Sequence, residues 1–192
     1  AASEEFNFSA NITTGATWAS GGALPAATSS LAGAGTQTAG LGFGGYGPGI
    51  TNATYKYDGS SWTAVNAMGT ARASLGGCGL QTTALAFGGS NPSATAATEE
   101  WNAAGAPAGV WSTGNNMNTG RGLMGSNGTS TSAIGYGGQS ASTHSNALTE
   151  AYNGTNWTEV NDLNLARNQL SGAGTNNTNA LAISGANPGG IK

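Results

Sequence analysis

The stretch "TALAFGG", residues 83–89, is a short apolar run that ends on a pair of glycines. The same ending recurs as "LGFGG" (Gly44, Gly45) and "IGYGG" (Gly137, Gly138), and in degraded form as "LAISG" (Ser184, Gly185). From Gly44 to Gly88, Gly137 and Ser184 the steps are 44, 49 and 47 residues. A tryptophan moves in step with the glycines, at Trp18, Trp62, Trp111 and Trp157. Ahead of each tryptophan stands a second aromatic: Phe6, Tyr57, Trp101 and Tyr152. Between tryptophan and glycines lies an arginine in three units, Arg72, Arg121 and Arg167, with Thr28 at the matching place in the first. Four series with one period define a repeat array, and a period of this length belongs to solenoids, propellers and similar arrays. The chain reads as one domain of four repeats, approximately 1–45, 46–89, 90–138 and 139–192.

The period is written in small residues. Charged residues are 7% of the 192, against about 25% in ordinary globular domains. Leu, Ile, Val and Phe make up 24 residues, a share that would argue disorder if net charge were high. The net charge is only −3, and the spaced aromatics give every unit an anchor, so an ordered chain is expected. Its stability must lean on backbone ladders and on those aromatics. Solubility falls to Ser, Thr and Asn. The surface lacks the clustered Lys and Arg that nucleic acid requires, and no apolar run approaches the eighteen residues of a membrane-spanning helix. The N-terminal "AASEEFNFSA" has neither a basic nor an apolar leader region, so no signal peptide is expected there. The missing initial Met suggests a processed chain or a segment of a longer one.

No segment carries a sustained helical stripe, and Gly, Ser and Thr are spread throughout. Each unit reads as four short strands. The first carries the arginine ("ARASLGGCG"), the second ends in Gly-Gly ("TALAFGG"), the third carries the second aromatic ("ATYKYD"), and the fourth opens at the tryptophan ("WTAV"). Asp58-Gly59 and Asn153-Gly154 sit between third and fourth strands, and both dipeptides are strong hairpin signals. The same joint is longer between Phe6 and Trp18 and between Trp101 and Trp111. Loops projecting from one face are expected there.

Gly-Gly after an apolar strand, an aromatic, a Trp several residues on, and an Arg before the next first strand together resemble the kelch repeat. The resemblance covers essentially the whole chain in four copies. It implies an all-β fold, a β-propeller of four-stranded blades. The family's structural positions fall on Gly44, Gly45, Gly88, Gly89, Gly137 and Gly138, on Tyr57 and Tyr152, and on the four tryptophans, with Arg72, Arg121 and Arg167 leading into first strands. Phe6 and Trp101 replace the usual Tyr, Ser184 a Gly, and Thr28 an Arg. The chain opens inside a third strand ("SEEFN") and closes after a second ("LAISG"). The expected ring has four blades, with residues 1–19 and 163–186 joined as one composite blade; the alternatives are a segment of a larger propeller or edges that pair with another chain.

The chemistry of known kelch-type copper oxidases needs imidazole and phenolate ligands gathered together. This chain has one histidine, His144, in the polar loop "SASTHSNAL", and one cysteine, Cys78, in a small-residue strand. No cofactor, metal or catalytic residue is therefore expected, and no nucleophile-elbow G-x-S-x-G accompanies the histidine. Glu4-Glu5, Glu99-Glu100 and Glu150 occupy matching repeat positions, so they read as structural partners for the arginines. "GFGGYGPG" and "GGCG" lack the lysine and the helix of a phosphate loop. Seven N-x-[ST] sequons, from Asn7 to Asn176, are expected by chance in a chain this rich in Asn, Ser and Thr.

A narrower resemblance is to kelch-like arrays in structural proteins of marine bacteriophages, cyanophages especially, in the style of "AGAGTQTAGLGFGG". It implies a virion structural or appendage protein, such as a tail fibre, spike or capsid-surface propeller. Its implied partners are other virion proteins, copies of itself, and a host surface glycan, and its implied place is the virion surface. The alternative is an adhesive or carbohydrate-binding propeller on a bacterial surface, with a tryptophan stacking on a sugar ring.

Overall fold

The computed structural model describes residues 3–7, 17–105 and 108–187. Among them there are sixteen strands and no helix. The first sheet holds β3 (Ala32–Thr36), β4 (Ala39–Phe43), β5 (Thr54–Tyr57) and β6 (Trp62–Val65), paired in that order. The second holds β7 (Gly76–Gly79), β8 (Thr83–Phe87), β9 (Thr98–Asn102) and β10 (Val110–Gly114). The third holds β11 (Gly125–Thr129), β12 (Ser132–Tyr136), β13 (Thr149–Tyr152) and β14 (Trp157–Val160). All three are antiparallel meanders, and their repetition fits the blades of a propeller. Two half-sheets flank them: β1 (Glu4–Asn7) with β2 (Thr17–Ser20), and β15 (Ser171–Asn176) with β16 (Asn179–Ile183).

The hairpins form where the turn chemistry is written. Asp58 accepts from the amides of Ser60 and Ser61, and Gly59 has φ 94°. Asn153 does the same for Thr155 and Asn156, with Gly154 at φ 92°. These side-chain turns set the register that places Tyr57 opposite Trp62 and Tyr152 opposite Trp157. The arginines stand in the lead-in to the first strands, four residues ahead of them: Arg72 before Gly76, Arg121 before Gly125 and Arg167 before Ser171; Arg72 precedes Ala73, which bridges to Ser90. The longer joint before Trp18 lies at 8–16, outside the described residues.

Apolar side chains are sandwiched between successive sheets. Leu41, Phe43, Met68, Leu75, Ala84, Ala86 and Trp101 form one buried cluster. Leu85, Phe87, Met117, Met124, Ala133, Tyr152 and Trp157 form the next, with Cys78. Ile134, Tyr136 and Leu170 begin a third, against β15–β16. Three residues at the seams carry no motif signal: the buried Met68 and Met117, and the partly buried Leu163 against the third cluster, each follow the tryptophan by six places. Each donates its amide back to a loop carbonyl, of Asn52, Ala96 and Ala147 respectively.

The terminal half-sheets do not join. β1–β2 and β15–β16 remain separate two-stranded sheets, so the expected composite blade is not formed among the described residues. The backbone bonds between neighbouring sheets are open at the same place. Ser74 donates its amide to Ser30, Leu123 to Ser74, and Gln169 to Leu123, at 2.7–2.9 Å. This series of backbone bonds ties each sheet to the next. After four repeats it has not returned to its start, and Ser30 makes no bond to Gln169.

Candidate functional site

The repeated residues converge on the seams between sheets. Gly44, Gly88 and Gly137 have φ between 62° and 66°, and Gly45, Gly89 and Gly138 between 93° and 106°. Both members of each pair thus occupy the left-handed region, where only glycine sits without steric cost. Contact adds a second reason. A Cβ on Gly88 would lie 2.3 Å from the carbonyl oxygen of Arg121 in the next repeat. The second glycine uses that closeness: Gly45 donates to Arg72 O, Gly89 to Arg121 O, and Gly138 to Arg167 O, at 2.7–2.8 Å. The degraded copy forces Ser184 to φ 56°.

The arginines complete the seam from the other side. Arg72 and Arg121 are fully buried. Arg72 Nη1 donates to Gly88 O and Ala97 O, and Nη2 to Glu99 Oε1 at 3.0 Å. Arg121 repeats the pattern on Gly137 O, Leu148 O and Glu150 Oε1, the last at 2.9 Å. Each glutamate lies on the third strand of the sheet its arginine leads into. Each also accepts from two backbone amides, Gly69 and Thr70 for Glu99, Asn118 and Thr119 for Glu150. A buried ion pair persists when such extra bonds satisfy its remaining valences. Burial pulls both guanidinium groups below the ordinary arginine range, and the facing carboxylates counter it. The arginine Nε of each pair stays unpartnered. Arg167 makes only the first of these contacts, Nη1 to Ser184 O.

The four tryptophans occupy three different situations. Trp157 is 6% exposed, its ring 4.7 Å from Phe87 of the preceding sheet, and its Nε1 donates to Thr98 Oγ1. Trp111 repeats this on Phe43 and Thr54, at 5.0 Å between rings. Trp62 packs on Tyr57 at 4.9 Å, but its Nε1 is buried with no acceptor. Trp18 is 66% exposed. Of the second aromatics, Trp101 is buried and donates to Gln81 O. Tyr57 is buried, and Tyr152 is buried with its hydroxyl bonded to Glu100. Burial pushes the Tyr152 phenol upward, and the Glu100 hydrogen bond adds to it. Phe6 lies opposite Trp18 in the β1–β2 register.

Little reactive chemistry is left over. Cys78 is buried in β7, with its Sγ 3.5 Å from Thr129 O. Burial pushes its thiol up to about 12. The thiol therefore stays protonated where ordinary thiols titrate. It is expected to resist iodoacetamide at pH 8.5 in the folded protein and to react on addition of denaturant, as mass spectrometry would read; equal rates in both states would mean the site is open. Linkage gives a matching sign. The stabilisation from keeping this thiol neutral is full below about 9 and is lost as pH climbs towards about 12. His144 is exposed, its Nδ1 3.2 Å from Gln139 Nε2. Among the described residues no group of three His, Cys, Asp or Glu side chains could hold a metal ion.

Open clefts lie on one face, built by the loops that join second to third strands. One, about 330 Å³, is lined by serines 74, 90, 93 and 140 with Gln139. Another, about 520 Å³, is bounded by Thr28, Ser29, Pro48 and the half-exposed Tyr46.

No family model matches this chain, and no curated protein is significantly similar to it.

Glu99, Glu150, Arg72 and Arg121 point into seams and are held by one another. Asn127, one of the sequon asparagines, is buried and donates to Asn176 O and Asn179 O, so a glycan cannot be attached to it in the folded protein. The groups left facing solvent in the clefts are hydroxyls, amides and one phenol.

Proposed function

We propose that this chain is a non-enzymatic structural module, a kelch-like propeller array that serves as a virion structural or appendage protein. One observation carries the reading away from catalysis. The buried carboxylates and guanidinium groups are consumed pairwise at equivalent seams, with the backbone amides around them as further partners. What faces outward is a charge-poor surface of Ser, Thr and Asn on a repeated frame, suited to building and to passive contact. The virion assignment rests on the style of the repeat units, which resembles arrays in structural proteins of marine bacteriophages. Its test is the composition of purified particles from the source. The chain is expected in them at a fixed copy number, accessible to a surface-labelling antibody. Particles free of it overturn the assignment.

A second reading, a carbohydrate-binding surface, is supported by the hydroxyl-lined clefts and the exposed Tyr46 beside one of them. Phenol rings stack on sugars, and serine hydroxyls match their donor and acceptor pattern. Binding on a glycan array that vanishes in a Tyr46→Ala variant would favour this reading.

A further inference from the structure

Three kinds of joint hold neighbouring repeats together, and each has loose ends at the two terminal repeats. The arginine–glutamate pairs come first. Arg72 has Glu99 and Arg121 has Glu150. The first sheet has neither partner, because Thr28 holds the arginine's place and Tyr55 the glutamate's. Arg167 leads into β15–β16, which has no third strand to supply a glutamate. Glu99 and Glu150 each stand two residues before the aromatic of the third strand, Trp101 and Tyr152. By that spacing the counterpart of Arg167 is Glu4, two residues before Phe6. Glu4 is exposed on β1, and neither it nor Arg167 has an ion pair among the described residues.

The backbone joints end in the same way. Gly45, Gly89 and Gly138 donate to the next repeat's arginine carbonyl; Gly185, next in the series, makes no such bond, and the matching carbonyl is that of Thr28. The axial series leaves the Ser30 amide without its acceptor at one end and the Gln169 carbonyl without its donor at the other. Thus the last repeat offers a cation, an amide and a carbonyl, and the first offers the anion, carbonyl and amide that fit them. Two sheet edges, β16 and β1, are also unpaired, and open edges invite a further strand. Leu181 and Ile183 on β16, 60% and 42% exposed, face solvent where their equivalents Leu41 and Phe43 are buried.

We propose that β15–β16 of one copy of this chain is completed by β1–β2 of a second copy. β16 pairs with β1 in the register of the complete sheets, with Leu181 opposite Glu5 as Leu85 is opposite Glu100. Arg167 takes Glu4 of the second copy. Within one chain the same closure would require a fourth bond in the axial series, from the Ser30 amide to the Gln169 carbonyl, and that bond is not made. Head-to-tail contacts form a ring when the rotation closes. Two copies bring together eight repeats, within the roughly 4–8 blades of known propellers. The inference rests on reading the sheets as blades around an axis, and it stands or falls on pure protein, whatever particle or surface the protein belongs to.

Charge reversal across the joint tests it. By light scattering, the wild-type chain is expected at twice its 18.7 kDa mass. Glu4→Arg alone and Arg167→Glu alone are each expected to fall to the single-chain mass, since each places like charges at both joints. An equimolar mixture of the two variants is expected to regain the dimer, because every joint then unites opposite charges. A wild-type chain that stays monomeric, or a mixture that does not reassociate, overturns the proposal. So does rescue confined to the double variant as a monomer, which would place the joint within one chain. A second measurement covers the case in which Arg167→Glu fails to fold. Leu181→Cys and Glu5→Cys chains, both in a Cys78→Ser background, are mixed and oxidised. A disulfide-linked heterodimer is expected, and its absence overturns the pairing.

Discussion

Replacing Glu150 with alanine is expected to destabilise the protein by about 3–5 kcal/mol, the usual cost of leaving one member of a buried ion pair alone. Three losses coincide at this position. The Arg121 guanidinium, with 0% of its side chain exposed, loses the carboxylate paired with it at 2.9 Å. The amides of Asn118 and Thr119 lose their shared carboxylate acceptor. Asn118 Nδ2 loses the same oxygen. The seam between second and third sheets then holds a buried cation beside unmet donors. Urea denaturation followed by tryptophan fluorescence reads the change as a lower midpoint at constant slope. Removing both charges together, Arg121→Met with Glu150→Leu, is expected to cost much less than the sum of the single losses, because nothing charged remains buried. A Glu150→Ala protein within about 1 kcal/mol of wild type would show that water reaches the arginine, the ordinary condition of a surface pair.

The parts of this architecture that sequence discloses are those in which one residue type alone meets a geometric demand. Gly88 and Gly89 recur because positive φ and a 2.3 Å approach admit nothing larger. Asp58-Gly59 and Asn153-Gly154 recur because the turn needs a short acceptor and then a left-handed residue. Glutamates in period with arginines suggested pairing, and Arg72–Glu99 and Arg121–Glu150 form it within a sheet. What stayed hidden depends on where repeats face one another. Met68 and Met117 fill the seams as buried side chains, yet no turn or charge rule marks them. Only their spacing of six from the tryptophan could have found them. Closure was the larger miss. Matching strands at the two ends suggested a joined blade, but whether they meet depends on the rotation per repeat. Backbone bonds such as Leu123 to Ser74 join one sheet to the next, and no side-chain pattern marks them.

The same dependence on neighbours separates tryptophans that the motif makes equivalent. Trp157→Ala is expected to cost about 3–5 kcal/mol, the range for emptying a buried large aromatic site. Its ring fills the seam against Phe87 at 4.7 Å and lies 5.0 Å from Tyr152, and its Nε1 is satisfied by Thr98. Truncation opens a cavity walled by Met117 and Phe87, both in the same buried cluster, and leaves the Thr98 hydroxyl without this donor. Trp62 has the same place in its repeat and a similar ring partner in Tyr57. Among the described residues no ring of another sheet packs on it as Phe87 does on Trp157, and its Nε1 is already unsatisfied. Trp62→Ala therefore removes less packing and relieves an unmet buried donor, so it is expected to cost clearly less than Trp157→Ala. Paired urea titrations of the two variants, at dilution low enough to keep single chains, read the order directly. Equal losses would mean that the tryptophan acts through its own sheet, on the Tyr57 or Tyr152 ring. A larger loss at Trp157 places its contribution in the seam with the preceding sheet, where Phe87 waits for it.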